Sequence, residues 1–471
     1  MLYEKVASTI TSQIEQGIYH PGDRIPGVRK LAKQFSVSVS TILEAHQLLE
    51  DQGKIEARPR SGYYVRTRLW QPPEQPAMSN PDATPTLVSG QALALELVKA
   101  TNNPGIVPLG AAVPSTVFLP TAAVNRAIAS AARQYGDRAS IYEFPPGNEQ
   151  LRRQIAKRLA DAGCQVSPDE IVITSGCQEA LALCLRAVAQ PGDIIALESP
   201  TFYGLLQVIE SLGMKALEIP THPVNGISIE ALELAIEQWD IRACTLVPNF
   251  SNPLGYCMSD ENKKRLVALL SKHDITLIED DVYGDLGFQQ DRPIVAKAYD
   301  SANRNMLCSS FSKSLAPGPR VGWIVPGCYQ EKVEYLKYVT NLATATVSQL
   351  AIADFLKRGG YDRYLRQVCS RYERQVEMFI RAVDKYFPSG TRVSQPQGGF
   401  VIWVECPEQV DAMQLYKQAM LKNISIAPGP IFSASQKYTN FIRINCAVVW
   451  DDRTDRALLT LGKLASVCLR E

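Results

Sequence analysis

The stretch SSFSKSLAPGPRVGW, residues 309–323, sets one lysine, Lys313, in a loop dense with hydroxyls and follows it with an arginine, Arg320. The amine of such a lysine can condense with an aldehyde to give a Schiff base. Ser310 and Ser312 offer hydroxyls and Arg320 a guanidinium fork to a phosphate, while Pro317 and Pro319 stiffen the loop. A lysine among serines is, read alone, more often solvated surface than chemistry, so the neighbouring elements decide. The loop leaves the short apolar run NMLCSS (305–310), and runs of the same kind recur upstream as IVIT (171–174), IIALE (194–198), CTLVP (244–248) and TLIEDD (276–281), with helical patterns between them. Strands alternating with helices predict an α/β fold with a parallel sheet covered on both faces.

Three of these strands end in polar groups suited to the same ligand. IVITSGCQEALALCL (171–185) runs from a strand through Ser175, Gly176, Cys177 and Gln178 into a helix, which points free backbone N–H groups at an anion. TLIEDDVYGD (276–285) ends a hydrophobic strand in Asp280, followed by Tyr283. A carboxylate at a buried strand end needs a partner, and a protonated pyridine nitrogen is one. Tyr283, and Asn252 in NFSNPLG (249–255), can donate to a phenolic oxygen on the same ring; Asn252 read alone is a simple Asn-Pro turn. Arg443 stands inside the apolar strand NFIRINCAV (440–448) and also needs a partner.

In this order the motifs resemble fold-type I, class I aminotransferases over residues 90–471. The resemblance implies pyridoxal 5'-phosphate as cofactor, with Lys313, Asp280 and Tyr283 as catalytic groups and Asn252 as a second ligand of the ring oxygen. It implies that Gly176, Cys177, Gln178, Ser310, Ser312 and Arg320 hold the phosphate, and that Phe202 of ESPTFYG (198–204) stacks on the ring, with Tyr203 as the alternative. Tyr142, in YEFPPGNEQLR (142–152), is similar to the tyrosine that reaches the phosphate of the other subunit, which requires a homodimer. Arg443 matches the arginine that clamps a substrate α-carboxylate. In VPLGAAVPSTVFLP (107–120), Ala112 departs from the glycine common in the family, and its methyl narrows the substrate pocket.

The residues ahead of this unit read differently. LWQPPEQPAMSNPDATPT (69–86) is proline-rich with few apolar side chains, a semi-extended linker taken as residues 69–89. Residues 1–68 carry ten basic and seven acidic side chains, an excess of three, although the whole chain has a net charge of only +1. Nucleic-acid binding, where present, is therefore local to this end. Val6, Ile10 and Ile14 predict a helix that Gly17 stops. After the turn HPGDRIP (20–26) come a second helix, VRKLAKQF (28–35), and a third within residues 37–53 that Ser38 or Ser40 can cap and that turns Ile42, Ala45, Leu48 and Leu49 inward. The segment KIEARPRSGYYVRT (54–67) predicts a β-hairpin wing. Arg29, Ser38, Ser40, Thr41, Lys54, Arg58 and Arg60 are the candidate DNA contacts.

The series GDRIPGVRKLA, VSVSTI, LLEDQGKI and SGYYV resembles the winged helix-turn-helix of GntR-type bacterial regulators over residues 1–68. Gly27 and Val39 stand where that family commonly has Ser and Arg. A GntR-type winged helix tethered to an aminotransferase-like domain resembles the MocR-type regulators along the full chain. That implies a regulator that binds a double-stranded DNA operator and senses an amine, an amino acid or pyridoxal phosphate itself, as a head-to-tail homodimer. A working aminotransferase that moves an amino group between an amino acid and a 2-keto acid needs the same residues and stays open.

Composition narrows the remaining classes. With 46% hydrophobic and 21% charged residues the chain is not disordered as a whole, and at roughly 150 residues per domain its 471 residues predict about three units, or one large unit plus a small one. Glu4, Lys5 and Glu15 interrupt the amino-terminal pattern, so it is no secretory signal, and no apolar run reaches the roughly 18 residues that span a bilayer. A cytoplasmic protein without membrane association is expected. Eleven cysteines, an odd number with no C-x-x-C pair, argue for reduced thiols and no metal site.

Overall fold

Val6, Ile10 and Ile14 fall on one face of the helix Leu2–Glu15 and are buried with Leu31, Ile42, Ala45 and Leu49 in the core of the small unit. The computed structural model describes residues 2–58, 61–66, 70–89, 92–289 and 291–467 and divides into two units, Met1–Pro73 and Glu74–Glu471. In the small unit the helices Val28–Phe35 and Val39–Asp51 follow the first. The strands Ile55–Arg58 and Gly62–Val65 then pair antiparallel as the wing. Ser38 caps the third helix through Thr41 N–H (3.1 Å). Leu48 is only half-buried, and His46 takes an inward position beside Ile42, Ala45 and Leu49.

The large unit is built on one sheet. Its strands run in the order Thr86–Leu87, Lys215–His222, Ile194–Ser199, Ile241–Leu246, Thr276–Asp280, Met306–Ser310, Gly322–Val325 and Val172–Thr174. All five expected strands lie in it, and the pairings from Lys215–His222 through Met306–Ser310 are parallel. Gly322–Val325 runs antiparallel to both neighbours, and Thr86–Leu87 pairs antiparallel at the far edge. The apolar side chains of the sheet sit in two clusters, one with Ile173, Leu307 and Trp323 and the other with Val172, Ile195 and Ile278, so both faces are covered. A smaller four-stranded sheet contains Val401–Glu405 and Phe441–Asn445.

The proline-rich stretch is partly bound into the large unit. Ser79 exchanges hydrogen bonds with Thr221 (2.7 and 3.1 Å), Trp239 Nε1 donates to Ala83 O (3.2 Å), and Lys437 pairs with Asp82 (3.0 Å). Among the described residues no helix is long and apolar enough to cross a membrane.

Candidate functional site

The carboxyl ends of the central strands bring the separated motifs together. Asp280 lies opposite Cys308 on the adjacent strand, Ser310 opposite Gly322, and Gly322 opposite Thr174, so the acidic strand end, the lysine loop and the Ser175–Gln178 turn share one edge of the sheet. Open α/β sheets bind ligands at this edge. A cavity of about 350 Å³ opens there, lined among others by Lys313, Asp280, Tyr283, Asn252, Phe202 and Arg320. Ala112, Cys177, Gln178, Ser310 and Ser312 line it too.

One end of the cavity fits a phosphate. The helix Cys177–Val188 starts at Gly176 with no side-chain cap, leaving its first N–H groups for a ligand. Arg320 holds a left-handed backbone (φ 55°), and its guanidinium donates to Ser175 O (2.7 Å) and Ser312 Oγ (3.3 Å) without a carboxylate partner among the described residues. Gly176 has φ +100°, which favours glycine, and a Cβ there would push that guanidinium aside. Gln178 turns its side chain to Gly204 O (2.8 Å), so its backbone N–H is what it offers the phosphate end. Ser175 N–H donates to Glu179, which pairs with buried Lys337 (2.8 Å) and fixes the turn against the helix Gln330–Asn341.

The other end fits a cationic ring. Asp280 is buried, and desolvation raises it to about 6 against hydrogen bonds from Val282 N–H (3.0 Å) and the Cys177 thiol (3.3 Å). Both bonds go to Oδ1, which leaves Oδ2 for a ring nitrogen. Lys313 donates to Ala112 O (2.7 Å); burial, then Arg443 and Arg320, lower its amine to about 8. Tyr283 is buried, which raises its hydroxyl, and Asn252 donates to it. Phe202 and Tyr203 both border the cavity, ring centroids 4.9 Å apart. Gly204 could not carry a Cβ without striking the Phe202 ring.

Arg443 is fully buried on the strand Phe441–Asn445. It donates to Asn252 Oδ1 (3.1 Å) and to Gly110 O, and lies 5.2 and 5.5 Å from the rings of Phe432 and Tyr203. Its Nε has no acceptor and no acid pairs with it among the described residues. A buried guanidinium left this way is a site for an incoming carboxylate. Tyr142 is not part of the cavity; it is 65% exposed and stacks on Phe144 (5.4 Å).

In the small unit Ser38, Ser40 and Thr41 bond to one another through their hydroxyls (2.7 and 2.8 Å) at the start of the third helix. Arg29 is exposed, while Lys54 pairs with Glu15 (3.1 Å) and Arg58 with Glu56 (2.9 Å). Arg60 lies outside the described residues. Sequence reasoning missed the thiol of Cys177 as a ligand of Asp280 and the Glu179–Lys337 pair. An acid four residues after Ser175 was the visible signal for the second; no local pattern marked the first.

Residues 112–461 match the family profile "Aminotransferase class I and II", and residues 2–65 match "Bacterial regulatory proteins, gntR family". The chain is 40% identical over 461 residues to the HTH-type transcriptional regulator YjiR of Escherichia coli (strain K12), covering 98% of each. It is 29% identical over 373 residues to the 2-aminoadipate transaminase of Thermus thermophilus, covering 78% of this chain and 92% of that one. The crystal structure of LysN, the alpha-aminoadipate aminotransferase of Thermus thermophilus complexed with N-(5'-phosphopyridoxyl)-L-leucine, matches with a TM-score of 0.74 at 27% identity over 82% of this chain and 96% of that one.

Proposed function

The chain belongs to the HTH-type regulators of the MocR type, in which a gntR-family DNA-binding domain is fused to an aminotransferase class I and II domain with pyridoxal phosphate as cofactor, and on that premise we propose that it is a cytoplasmic transcription regulator whose large unit senses an amino acid. The observation that carries the reading is Arg443, a buried guanidinium without an acid partner, beside the cavity that holds Lys313. It asks for a ligand that brings a carboxylate, and Lys313 asks for a carbonyl. An α-amino acid meeting the cofactor joins the two; LysN is complexed with a molecule of that kind, N-(5'-phosphopyridoxyl)-L-leucine.

When bound, the cofactor supplies an aldehyde and an electron-withdrawing ring. This chain's residues do the rest. The first N–H groups of the helix Cys177–Val188, with Ser310, Ser312 and Arg320, would hold the phosphate; Asp280 Oδ2 would keep a proton on the ring nitrogen; Tyr283 and Asn252 would donate to the ring oxygen. Phe202 would cover the ring and exclude water from one face. Lys313, its amine depressed by burial, can accept a proton near neutral pH. Arg443 would orient the amino acid through its carboxylate.

The small unit would bind duplex DNA, with the helix Val39–Asp51 in the major groove. The exposed side chains Ile141, Tyr142, Phe144 and Tyr338 favour a second copy of the chain against this face, in a head-to-tail dimer where Tyr142 reaches the partner's phosphate. Transaminase turnover is the second reading, favoured by the lowered Lys313 amine.

The absorption spectrum of the cofactor-loaded protein, followed while amino acids and amines are added one at a time, separates the two. Sensing predicts a lasting spectral change without release of a keto acid. Release of about one keto acid per site as the pyridoxamine form accumulates, continuing only once an acceptor 2-keto acid is added, would make the chain an enzyme.

A further inference from the structure

The helix Val39–Asp51 buries Ile42, Ala45, His46 and Leu49 and leaves Val39 and Leu43 46% and 47% exposed. These two lie one turn apart on the same face and belong to no part of the small unit's apolar core. They occupy the first half of the second helix of a helix-turn-helix, the part whose side chains reach base edges. Beside Leu43, Glu44 is exposed and can accept from a cytosine amino group. The helix contains no lysine or arginine, so it has no bidentate partner for guanine. The hydroxyls of Ser38, Ser40 and Thr41 are tied to one another, and Gln47 donates to Asp51 (3.0 Å). The charge that neutralises phosphates sits on the packed neighbour instead. Helix Val28–Phe35 presents Arg29, Lys30 and Lys33 exposed and outside any ion pair among the described residues.

We infer that Val39 and Leu43 are specificity-determining residues of this protein and that they read the 5-methyl groups of thymines in the major groove. The inference rests on the small unit being a DNA-binding module. Apolar contact with the thymine methyl is the base-edge interaction open to aliphatic side chains. Affinity then comes from Arg29, Lys30 and Lys33 on the backbone, and sequence preference from the two apolar side chains.

Full-length, cofactor-loaded protein is used to enrich binders from a random-sequence duplex library, and the best duplex is remade with deoxyuridine for thymine at each enriched T·A position. The expected result is enrichment of T·A pairs in each half-site and a loss of about fourfold in affinity per contacted methyl removed. The double variant Val39→Ala/Leu43→Ala, altered only at exposed positions, should bind the thymine and uracil duplexes alike. Equal affinity of the wild type for both duplexes, enrichment of G·C pairs without T·A pairs where the helix docks, or a double variant that still discriminates would each overturn the inference. The wild-type thymine-to-uracil comparison decides even where the variant does not fold. A library from which nothing is enriched would instead overturn DNA binding by this unit, and the thymine reading with it.

Discussion

Arg443 is the residue whose situation says most about the ligand. Buried charges are ordinarily paired, and a cation without an acid costs stability until its partner arrives. Arg443→Met should therefore stabilise the amino-acid-free protein by on the order of 1 kcal/mol, measured by denaturant unfolding, while removing the spectral response to amino acids. A destabilised variant would show the arginine to be structural. Lys313 gives a second test. Its amine, lowered to about 8 by burial and by Arg443 and Arg320, is neutral in a larger fraction at moderate pH than an ordinary lysine. Cofactor attachment, trapped by borohydride, should accelerate with rising pH and level off above about 8; a rate still climbing toward 10 would contradict this. Both residues were legible in the sequence because each broke a local rule, an arginine inside an apolar strand and a lysine in a proline-stiffened serine loop. The Cys177 thiol on Asp280 was not, because the two residues are 103 positions apart and a Ser-Gly-Cys turn has many uses.

At the scale of elements, the helix Cys177–Val188 would hold a phosphate at its uncapped start. Gly176→Ala adds a methyl in a left-handed backbone and against the Arg320 guanidinium. It should weaken cofactor binding by about 10- to 100-fold, the worth of one lost charge-assisted hydrogen bond, as read by equilibrium titration. Unchanged affinity would place the phosphate elsewhere. The helix Val39–Asp51 holds a different feature. His46 is buried against the Tyr63 ring (4.2 Å), neither ring nitrogen has a partner among the described residues, and burial lowers it to about 4. Its folded-state value lies below the ordinary 6.5, so the stability it carries is full above 6.5 and is lost as pH falls from there toward 4. Hydrogen exchange in residues 39–51 should rise as pH drops from 6.5 to 4.5, after correction for the intrinsic rate, and His46→Leu should flatten that rise. The sequence showed the helices and strands themselves, since their apolar periods are local. It did not show that Gly322–Val325 runs antiparallel or that His46 points inward, because strand direction and the choice of one inward face over its neighbour are settled by tertiary packing.

For the whole molecule, the two-unit division was legible from the proline-rich stretch and the charge excess at the amino-terminal end. The structure moves part of that stretch onto the large unit, where Ser79, Ala83 and Asp82 find partners from distant strands and loops. Such long-range hydrogen bonds leave no mark in local composition. In a sensor of this kind, occupancy of the large unit changes what the small unit does on DNA. The most direct measurement is the affinity of full-length, cofactor-loaded protein for an enriched duplex, read by fluorescence anisotropy during titration with amino acids, in the wild type and in Lys313→Ala. At least one amino acid should shift the affinity by about fivefold or more in the wild type and leave the variant unmoved. An affinity that stays constant across the panel while keto acid is released would contradict it and make the chain an aminotransferase with a DNA-binding appendage.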